Sequence, residues 1–378
     1  MTKLLLLGAG KIGRAICKFL GHTGDYQITV ADYSAEAVGK LSDVPNTSTR
    51  TLDVTNQAEL RDAVEGQDAV ISALSYMFNP LVAAACLKAG ASYFDLTEDI
   101  ETTKAVKKIA KSAKDGQIFM PQCGLAPGFT GIVGHHLAKK FDVIDSVLLR
   151  VGALPLYPTN ALKYNLTWST DGLINEYCNP CDAIHQGKNT EVLPLEGTEF
   201  FSIDGVRYEA FNTSGGLGTL CETLKNKANT LNYKTVRYPG HRDLAKFLVN
   251  ELKLGERRKI LKDILEKAIP ITLQDVVLVF CTVTGQRNGQ LVQISDARKI
   301  YHGIIHGEEW SAIQITTAAG ICTALDLHIK GKLPAKGFVK QEEISLPQFL
   351  ENRFGTYYEL YNKTPIKVRP LDIVVEQS

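Results

Sequence analysis

Residues 3–14 of this protein, Lys-Leu-Leu-Leu-Leu-Gly-Ala-Gly-Lys-Ile-Gly-Arg, decide its fold. An apolar run of strand character leads directly into the pattern G-x-G-x-x-G at residues 8–13, and a helical pattern begins at the last glycine. A second apolar run, Ile28–Ala31, ends at Asp32, 19 residues after that glycine. Strand, glycine turn, helix, strand and acid in this order are typical of a dinucleotide-binding βαβ unit.

The three glycines of this turn have separate functions. Gly8 allows the tight turn, Gly10 lets the backbone approach a pyrophosphate, and Gly13 lets the helix pack against the strand. Lys11 and Ile12 stand at the start of the helix, where free N–H groups and a partial positive charge favour phosphate. We therefore expect all five residues to bind the cofactor.

Asp32 indicates which cofactor is bound. Its carboxylate is placed to accept hydrogen bonds from the hydroxyls of the adenine ribose, and it would repel a 2′-phosphate. No arginine occurs in the following Tyr33-Ser34-Ala35 to offset that repulsion. The sequence therefore favours NAD over NADP.

The composition limits the class of protein. A length of 378 residues suits two domains, and the formal net charge of +1 gives no global field that would attract nucleic acid or a membrane surface. No apolar run approaches the length of a transmembrane helix. The eight cysteines are scattered, which fits reduced thiols in the cytoplasm. We expect a cytoplasmic protein whose partner is a small molecule, not nucleic acid or membrane.

The first 122 residues alternate short apolar runs with amphipathic helical patterns, which predicts an α/β fold with a doubly wound parallel sheet of the Rossmann type. The predicted strands are Lys3–Leu7, Ile28–Ala31, Thr49–Leu52, Ala69–Ala73, Tyr93–Leu96 and Ile118–Gln122. Ligands bind beyond the carboxyl ends of such strands. The further cofactor-binding candidates at these ends are Asp53, Val54, Ala73 and Leu74.

Residues 123–340 form a second, α+β domain in this interpretation, which would bind the substrate and form a homodimer through its sheet. Antiparallel strands are predicted at Val276–Thr284, Gln290–Ser295 and Lys299–Ile305, followed by a helix of small residues at Ala312–Lys330. Residues 341–378 are predicted to be a tail, with a helix between Glu342 and Tyr361 that returns to the first domain.

Five motifs of the second domain occur in a recognisable order. They are Gly124-Leu-Ala-Pro-Gly128, Val151-Gly-Ala-Leu-Pro155, Tyr164-Asn-Leu-Thr-Trp-Ser169, Glu209-Ala-Phe-Asn-Thr-Ser-Gly-Gly216 and Thr235-Val-Arg-Tyr-Pro-Gly-His241. Through them the protein resembles the saccharopine dehydrogenase-like family over nearly its whole length. Within that family it is most similar to the L-lysine 6-dehydrogenases of bacteria and archaea.

The resemblance implies an NAD(P)-dependent oxidoreductase that oxidises a carbon bearing nitrogen. Lysine 6-dehydrogenases convert lysine to 2-aminoadipate semialdehyde and ammonia, and this is the favoured function. The alternative is a saccharopine dehydrogenase, which releases glutamate in place of ammonia, or a related enzyme that joins an amine to an aldehyde reductively. An alternative of another class is an NAD(H)-binding redox sensor without turnover.

The stretch Ser169-Thr-Asp-Gly172 favours lysine over saccharopine. The saccharopine-type pattern carries an arginine here that pairs with a substrate carboxylate, and this sequence has none. Saccharopine has three carboxylates and lysine has one, so loss of a carboxylate clamp costs the larger anion more. Arg150 and Arg242 remain as candidates to replace the missing cation.

Asp95 and His241 are the candidates for catalysis. Hydride transfer from an amine requires the neutral amine, so a base must remove a proton. Asp95 ends a predicted strand and needs burial to raise its pKa into a useful range. His241 ends the motif that begins at Thr235, and an imidazole titrates near neutral pH.

Arg237 is the main candidate for substrate binding, because a guanidinium matches an α-carboxylate bidentately. The other substrate-binding candidates are Cys123, Gly124, Tyr164, Thr213 and Ser214. No metal site is predicted, because the single C-x-x-C motif, Cys178-Asn-Pro-Cys181, has no second pair of ligands at a suitable spacing.

Overall fold

Two large sheets and one two-stranded sheet organise residues 1–359, the part of the protein that this computed structural model describes. The strands are β1 Thr2–Leu7, β2 Tyr26–Asp32, β3 Thr47–Thr51, β4 Ala69–Ser72, β5 Ser92–Asp95, β6 Ile118–Met120, β7 Val143–Pro155, β8 Cys181–His185, β9 Lys188–Val192, β10 Glu199–Ile203, β11 Val206–Asn212, β12 Ala228–Arg237, β13 Asp275–Arg287, β14 Gln290–Tyr301, β15 Gly303–Ile305, β16 Glu308–Trp310 and β17 Gly337–Phe338.

Helices connect and cover these strands. They are α1 Lys11–Gly21, α2 Ala35–Gly39, α3 Gln57–Val64, α4 Asn79–Ala89, α5 Ile100–Ala110, α6 Phe129–Ala138, α7 Thr170–Cys178, α8 Leu220–Thr223, α9 His241–Lys246, α10 Arg258–Ala268, α11 Ala312–Ile329 and α12 Leu346–Leu350. Short 3-10 turns occur at Tyr76–Phe78, Leu254–Glu256, Gln341–Glu343 and Gly355–Tyr358, and one π-helical turn at Phe247–Glu251.

The first sheet is parallel throughout and has the strand order β17-β6-β5-β4-β1-β2-β3. Residues 4–7 of its central strand β1 are fully buried, because helices cover both faces. The predicted α/β fold and all six predicted strands are confirmed. The seventh strand, β17, joins this sheet late in the sequence, before the boundary at residue 340 that the sequence predicted.

The second sheet is mixed, as expected for an α+β domain. Its main order is β10-β11-β12-β7-β13-β14, with β12 and β7 parallel and the other neighbours antiparallel. The hairpin β8–β9 adds to it through β12. The long strands β7 and β13 pair over almost their full length and form the centre of this sheet.

Helix α11 joins the two halves of the molecule. Ser311 caps it with a capping box, and the side chain of Gln314 donates to the carbonyl of Lys11 at the start of α1. Contrary to the expectation from the sequence, this helix is long and apolar enough to cross a membrane by length and composition. However, 78% of its residues are buried inside the protein, as in the core helix of a globular domain.

Two predictions for the last third of the sequence need correction. Residues 299–301 continue β14, and β15 at residues 303–305 turns into a separate two-stranded sheet, so the predicted third antiparallel strand does not exist as one element. The predicted tail helix is broken into α12 and two 3-10 turns. Arg353 anchors this segment by ion pairs to Asp25 and to the buried Asp326 of α11. Residues 360–361 of the predicted helix lie outside the described residues.

Candidate active site

A cleft opens between the two domains, where the loops after β4, β5 and β6 face the second sheet. We call it the interdomain cleft. Its lining residues are Ile12, 73–76, 96–98, 124–127, 151–153, 168–169, Glu176, Tyr233, Thr235, Arg237, Ile313 and Thr317. The cleft therefore lies at the carboxyl ends of parallel strands, the position at which doubly wound sheets bind ligands.

The glycine turn at the edge of this cleft fits a dinucleotide. Gly8 has φ +100°, and a Cβ on it would lie 2.8 Å from the carbonyl oxygen of Ala73. A Cβ on Gly13 would lie 1.9 Å from the carbonyl oxygen of Gly8, so helix and turn are in direct contact. Gly10 has no atom within 4 Å of its Cβ position and borders open space. No side chain caps α1, so its first N–H groups are free to bind an anion.

Asp32 lies against this turn at the end of β2. One of its carboxylate oxygens accepts from the N–H of Ala9 at 2.7 Å, and the other accepts from the N–H of Ser34 at 2.8 Å. Both bonds hold the carboxylate in place beside the glycines. Asp53, by contrast, is bound by the N–H and hydroxyl of Thr55, which also lower its pKa.

Several predicted cofactor residues meet at the cleft and others do not. Ile12, Ala73 and Leu74 line it. Lys11 is at the first position of α1, and its carbonyl accepts from Gln314. Asp53 and Val54 follow β3 at the outer edge of the sheet and do not line the cleft.

Two glutamates line the cleft, Glu98 after β5 and Glu176 in α7. Burial raises the pKa of Glu98 to about 7 and that of Glu176 to about 8, and Arg237 opposes the shift at Glu176. Oε1 of Glu98 is buried and makes no hydrogen bond of normal geometry within residues 1–359, although the side chain of Asn175 is close enough to oppose the rise in pKa. A buried carboxyl with such a pKa can accept a proton near neutral pH or bind a cation.

Neither glutamate was predicted from the sequence. Glu98 lies three residues beyond Asp95, the last residue of β5. The loop after β5 is on the cofactor side of the sheet, and this position was the signal that the sequence offered. Glu176 follows the buried Leu173 by three residues and therefore lies on the buried face of α7. For Glu176 the signal was a lone charged residue on an apolar helix face.

Arg237, the predicted carboxylate-binding residue, lines the cleft, and a network of buried aromatic side chains holds it. Its guanidinium lies 4.8 Å from the ring centre of Tyr164. Its Nε donates to the hydroxyl of Tyr177 at 3.1 Å and its Nη1 to the carbonyl of Val236 at 2.9 Å. Nη2 has no acceptor in the described part of the protein, so it remains available to a ligand.

His241 does not reach the cleft, and its predicted role as a base is corrected. Its Nδ1 lies 2.7 Å from the carbonyl of Leu162, so Nδ1 carries the proton, and Nε2 accepts from the hydroxyl of Tyr177 at 2.8 Å. Burial, with the nearby charge of Arg237, lowers its pKa to about 3. An imidazole in this state supports Tyr177 and cannot take up a proton at neutral pH.

Asp95 is also set back from the cleft. Its side chain accepts from the hydroxyl of Tyr93 at 2.7 Å and from the N–H groups of Thr97 and Gln122 at 2.9 and 3.0 Å. Burial raises its pKa to about 6. These bonds tie the loop after β5 to the loop after β6, so Asp95 supports the cleft wall and does not line the cleft.

Of the remaining predicted substrate-binding residues, one lines the cleft and four do not: Gly124 lines it, whereas Cys123, Tyr164, Thr213 and Ser214 do not. Of Cys123 and Gly124, only Gly124 lines the cleft, because the Cys123 thiol points inward toward the carbonyl of Met120. Burial raises the pKa of that thiol well above its usual range. The ring of Tyr164 packs against the guanidinium of Arg237. The hydroxyl of Thr213 bonds to Thr235, and that of Ser214 bonds to the carbonyl of Pro180.

Arg150 and Arg242, the two candidates to replace the missing substrate-binding arginine, are both paired with other groups of the protein. Arg150 bonds to Glu199, Asn232 and a backbone carbonyl. Arg242 is bound by Glu196, Asp243 and the carbonyl of Leu195. Among residues 1–359, Arg237 is therefore the one cationic side chain that lines the cleft.

A dinucleotide turn that borders a cleft against a second domain defines a pyridine-nucleotide-binding protein of the oxidoreductase class. The family models agree with this. Residues 4–120 match the saccharopine dehydrogenase NADP binding domain, and residues 124–354 match the saccharopine dehydrogenase C-terminal domain. The protein belongs to the saccharopine dehydrogenase family.

Relatives in this family are distant in sequence. The mouse mitochondrial alpha-aminoadipic semialdehyde synthase is 26% identical over 356 residues, which cover 88% of this protein and 37% of that one. The NADP(+), L-glutamate-forming saccharopine dehydrogenase of Saccharomyces cerevisiae is 25% identical over 263 residues, 65% of this protein and 57% of that enzyme. The present sequence thus spans well under two thirds of the length of both.

A solved structure shows the same fold. The apo L-Glu-forming saccharopine dehydrogenase from Saccharomyces cerevisiae superposes with a TM-score of 0.74 at 19% identity, covering 93% of this protein and 97% of that one. At this identity the likeness concerns the fold and leaves the substrate open.

Proposed function

We propose that this protein is an NAD-dependent L-lysine 6-dehydrogenase, which oxidises the bond between C6 and the terminal nitrogen of lysine and releases ammonia. One observation carries the proposal: the cleft presents two carboxyls, Glu98 and Glu176, and one guanidinium, Arg237. Lysine has two amino groups and one carboxylate, which is the complementary set. Saccharopine has three carboxylates and would leave two of them without a cation.

Glu98 is our candidate for the proton acceptor. It follows β5 directly, beside Leu96 and Thr97 on the cofactor side of the cleft, and its Oε1 makes no hydrogen bond of normal geometry in residues 1–359. With its pKa raised to about 7, Glu98 can take one proton from the terminal ammonium of lysine and leave the neutral amine. A bound nicotinamide dinucleotide supplies the hydride acceptor, and water then hydrolyses the imine.

Gly8, Gly10, Gly13 and the start of α1 would hold the pyrophosphate, and Asp32 would hold the adenine ribose. The carboxylate of Asp32, fixed beside the turn by two N–H groups, supports NAD because it would repel a 2′-phosphate. The nearest basic residue on β3, Arg50, is already paired with Asp62 at 2.8 Å. The yeast relatives carry NADP(+) in their names, so the nucleotide must be tested directly.

The test follows NADH or NADPH formation at 340 nm with L-lysine, saccharopine and a diamine as substrates, and with each nucleotide in turn. The proposal expects reduction of NAD with lysine and release of ammonia. Activity with saccharopine alone, together with glutamate release, would identify the protein as a saccharopine dehydrogenase. No reduction with any amine would favour a dinucleotide-binding sensor.

A further inference from the structure

Glu176 and Tyr177 are consecutive residues of α7, and both act on the same end of the cleft. The hydroxyl of Tyr177 accepts from Nε of Arg237, while the carboxyl of Glu176 is close enough to Arg237 for the two charges to interact. The N–H of Ser214 donates to the carbonyl of Glu176 and fixes this turn of the helix. A carboxyl and a guanidinium are thus held side by side at this end of the cleft.

The carboxyl of Glu176 interacts with the charge of Arg237 but makes no hydrogen bond with the protein around it within residues 1–359. The residue is only 6% exposed. It borders the interdomain cleft on one side and the adjoining cavity near Asn179 on the other. Its carboxyl therefore faces open cavity and can accept a hydrogen bond from a ligand that brings an N–H group.

We propose that Glu176 and Arg237 form a clamp for the head group of an α-amino acid, in which Glu176 binds the α-ammonium and Nη2 of Arg237 binds the α-carboxylate. This inference rests on the proposed function and deepens it. Clamped in this way, the substrate keeps its α-carbon in the second domain and presents its terminal nitrogen to Glu98. The clamp makes Glu176 a specificity-determining residue for substrates with an intact α-amino acid group.

Substrate truncation and side-chain replacement together test the clamp. The substrates are L-lysine and 6-aminohexanoate, which lacks the α-ammonium. The variants are Glu176→Gln, which keeps the size of the side chain and removes its charge, and Glu191→Gln as a control at an exposed acid of the adjoining cavity. We expect Glu176→Gln to raise KM for lysine about 30-fold, as loss of a charged hydrogen bond does. With 6-aminohexanoate it should change KM less than about 3-fold.

Ligand binding can also be measured without turnover. The sequence has two tryptophans, and only Trp168 lines the cleft, so Trp310→Phe leaves Trp168 as a single fluorescent reporter. In this background, titration of the cofactor-free protein should show that lysine binds more tightly than 6-aminohexanoate. Glu176→Gln should abolish that difference, whereas Glu191→Gln should preserve it.

The outcomes separate the clamp from the reaction. Equal losses for both substrates in Glu176→Gln, with lysine still oxidised by the parent protein, would overturn the clamp and leave the proposed reaction intact. A Glu176-dependent preference for lysine in the fluorescence titration, without NADH formation, would support the clamp and refute the reaction.

Discussion

The hydroxyl of Tyr177 accepts a hydrogen bond from Nε of Arg237 at 3.1 Å. The same hydroxyl donates to the neutral ring of His241, whose Nδ1–H is held by a backbone carbonyl. The three side chains therefore form a directed hydrogen-bond network, in which the guanidinium donates to the phenol, the phenol to the imidazole and the imidazole to the backbone, and which fixes Nε of Arg237. His241, which the sequence suggested as a base, is a positioning residue in this arrangement.

The first prediction concerns this hydrogen-bond network. Tyr177→Phe removes the acceptor for Nε of Arg237 and should raise KM for the amino acid about 10-fold, with kcat nearly unchanged. Steady-state kinetics at saturating NAD measure the effects on KM and on kcat separately. Tyr157→Phe, at an exposed tyrosine outside the cleft, is the matched control. A fall in kcat with an unchanged KM would show that Tyr177 takes part in the chemical step.

The glycine turn gives a second prediction. Gly13→Ala would place a methyl group against the carbonyl of Gly8 and should lower Tm by at least about 5 °C. Gly10→Ala meets no protein atom, so Tm should hold while the affinity for NAD falls, because the methyl occupies the space that the pyrophosphate needs. Thermal unfolding and NAD titration of both variants separate the two effects. Equal NAD affinity in Gly10→Ala and the parent would place the pyrophosphate elsewhere.

The third prediction is that Asp32 sets the nucleotide preference. Asp32→Asn keeps one acceptor for the N–H of Ala9 and removes the negative charge. We expect kcat/KM for NAD to fall about 10-fold while kcat/KM for NADP rises, since the repulsion of the 2′-phosphate is gone. Asp53→Asn, at a partly exposed acid on the edge of the same sheet and outside the cleft, should leave both values unchanged. A parent protein that already prefers NADP would refute the proposed role of Asp32.

The fourth prediction concerns the pH dependence of stability. The folded pKa of Glu98 is raised to about 7 from 4.5, with Asp95, Asp99 and Glu176 as its acidic neighbours. Its contribution to stability is therefore fully present below about pH 4.5 and is lost as the pH rises through about 7. Glu98→Gln, which does not ionise, should gain stability over the parent between pH 6 and pH 9, by about 1–3 kcal/mol.

Urea unfolding at a series of pH values measures the difference in the free energy of unfolding between Glu98→Gln and the parent protein. Glu101→Gln, at an exposed position of α5, should follow the parent protein at every pH. If the difference between Glu98→Gln and the parent protein is independent of pH, the carboxyl is ionised throughout and cannot serve as the proton acceptor.

The sequence predicted the first domain well because its signals are local. The alternation of strand and helix and the order Gly8, Gly10, Gly13, Asp32 depend on neighbours along the polypeptide. The sequence could not show that β17 adds to the first sheet, since a two-residue strand has no periodicity. Residues 299–305 were predicted as one strand because the turn near His302 carries no glycine or proline before Gly303.

The candidate site was less predictable because its geometry depends on long-range packing. Arg237 and Gly124 occur in motifs of the sequence and line the cleft, and their roles in substrate binding stay predictions. His241 and Asp95 have side chains suited to catalysis, but whether they face the cleft is set by Tyr177 and by the loop after β6. Glu98 and Glu176 had local signals, a position in the loop after β5 and a place on an apolar helix face, but their meeting in one cleft depends on the packing of the two domains. The predicted homodimer and cytoplasmic location stay predictions.

The fate of the terminal nitrogen of lysine tests the proposed reaction most directly. L-Lysine labelled with ¹⁵N at that position is incubated with NAD, and ¹⁵N-ammonium is measured against NADH. We predict one labelled ammonium for each NADH formed. Saccharopine-dependent NADH formation with release of glutamate, and no turnover of lysine, would contradict the proposed function.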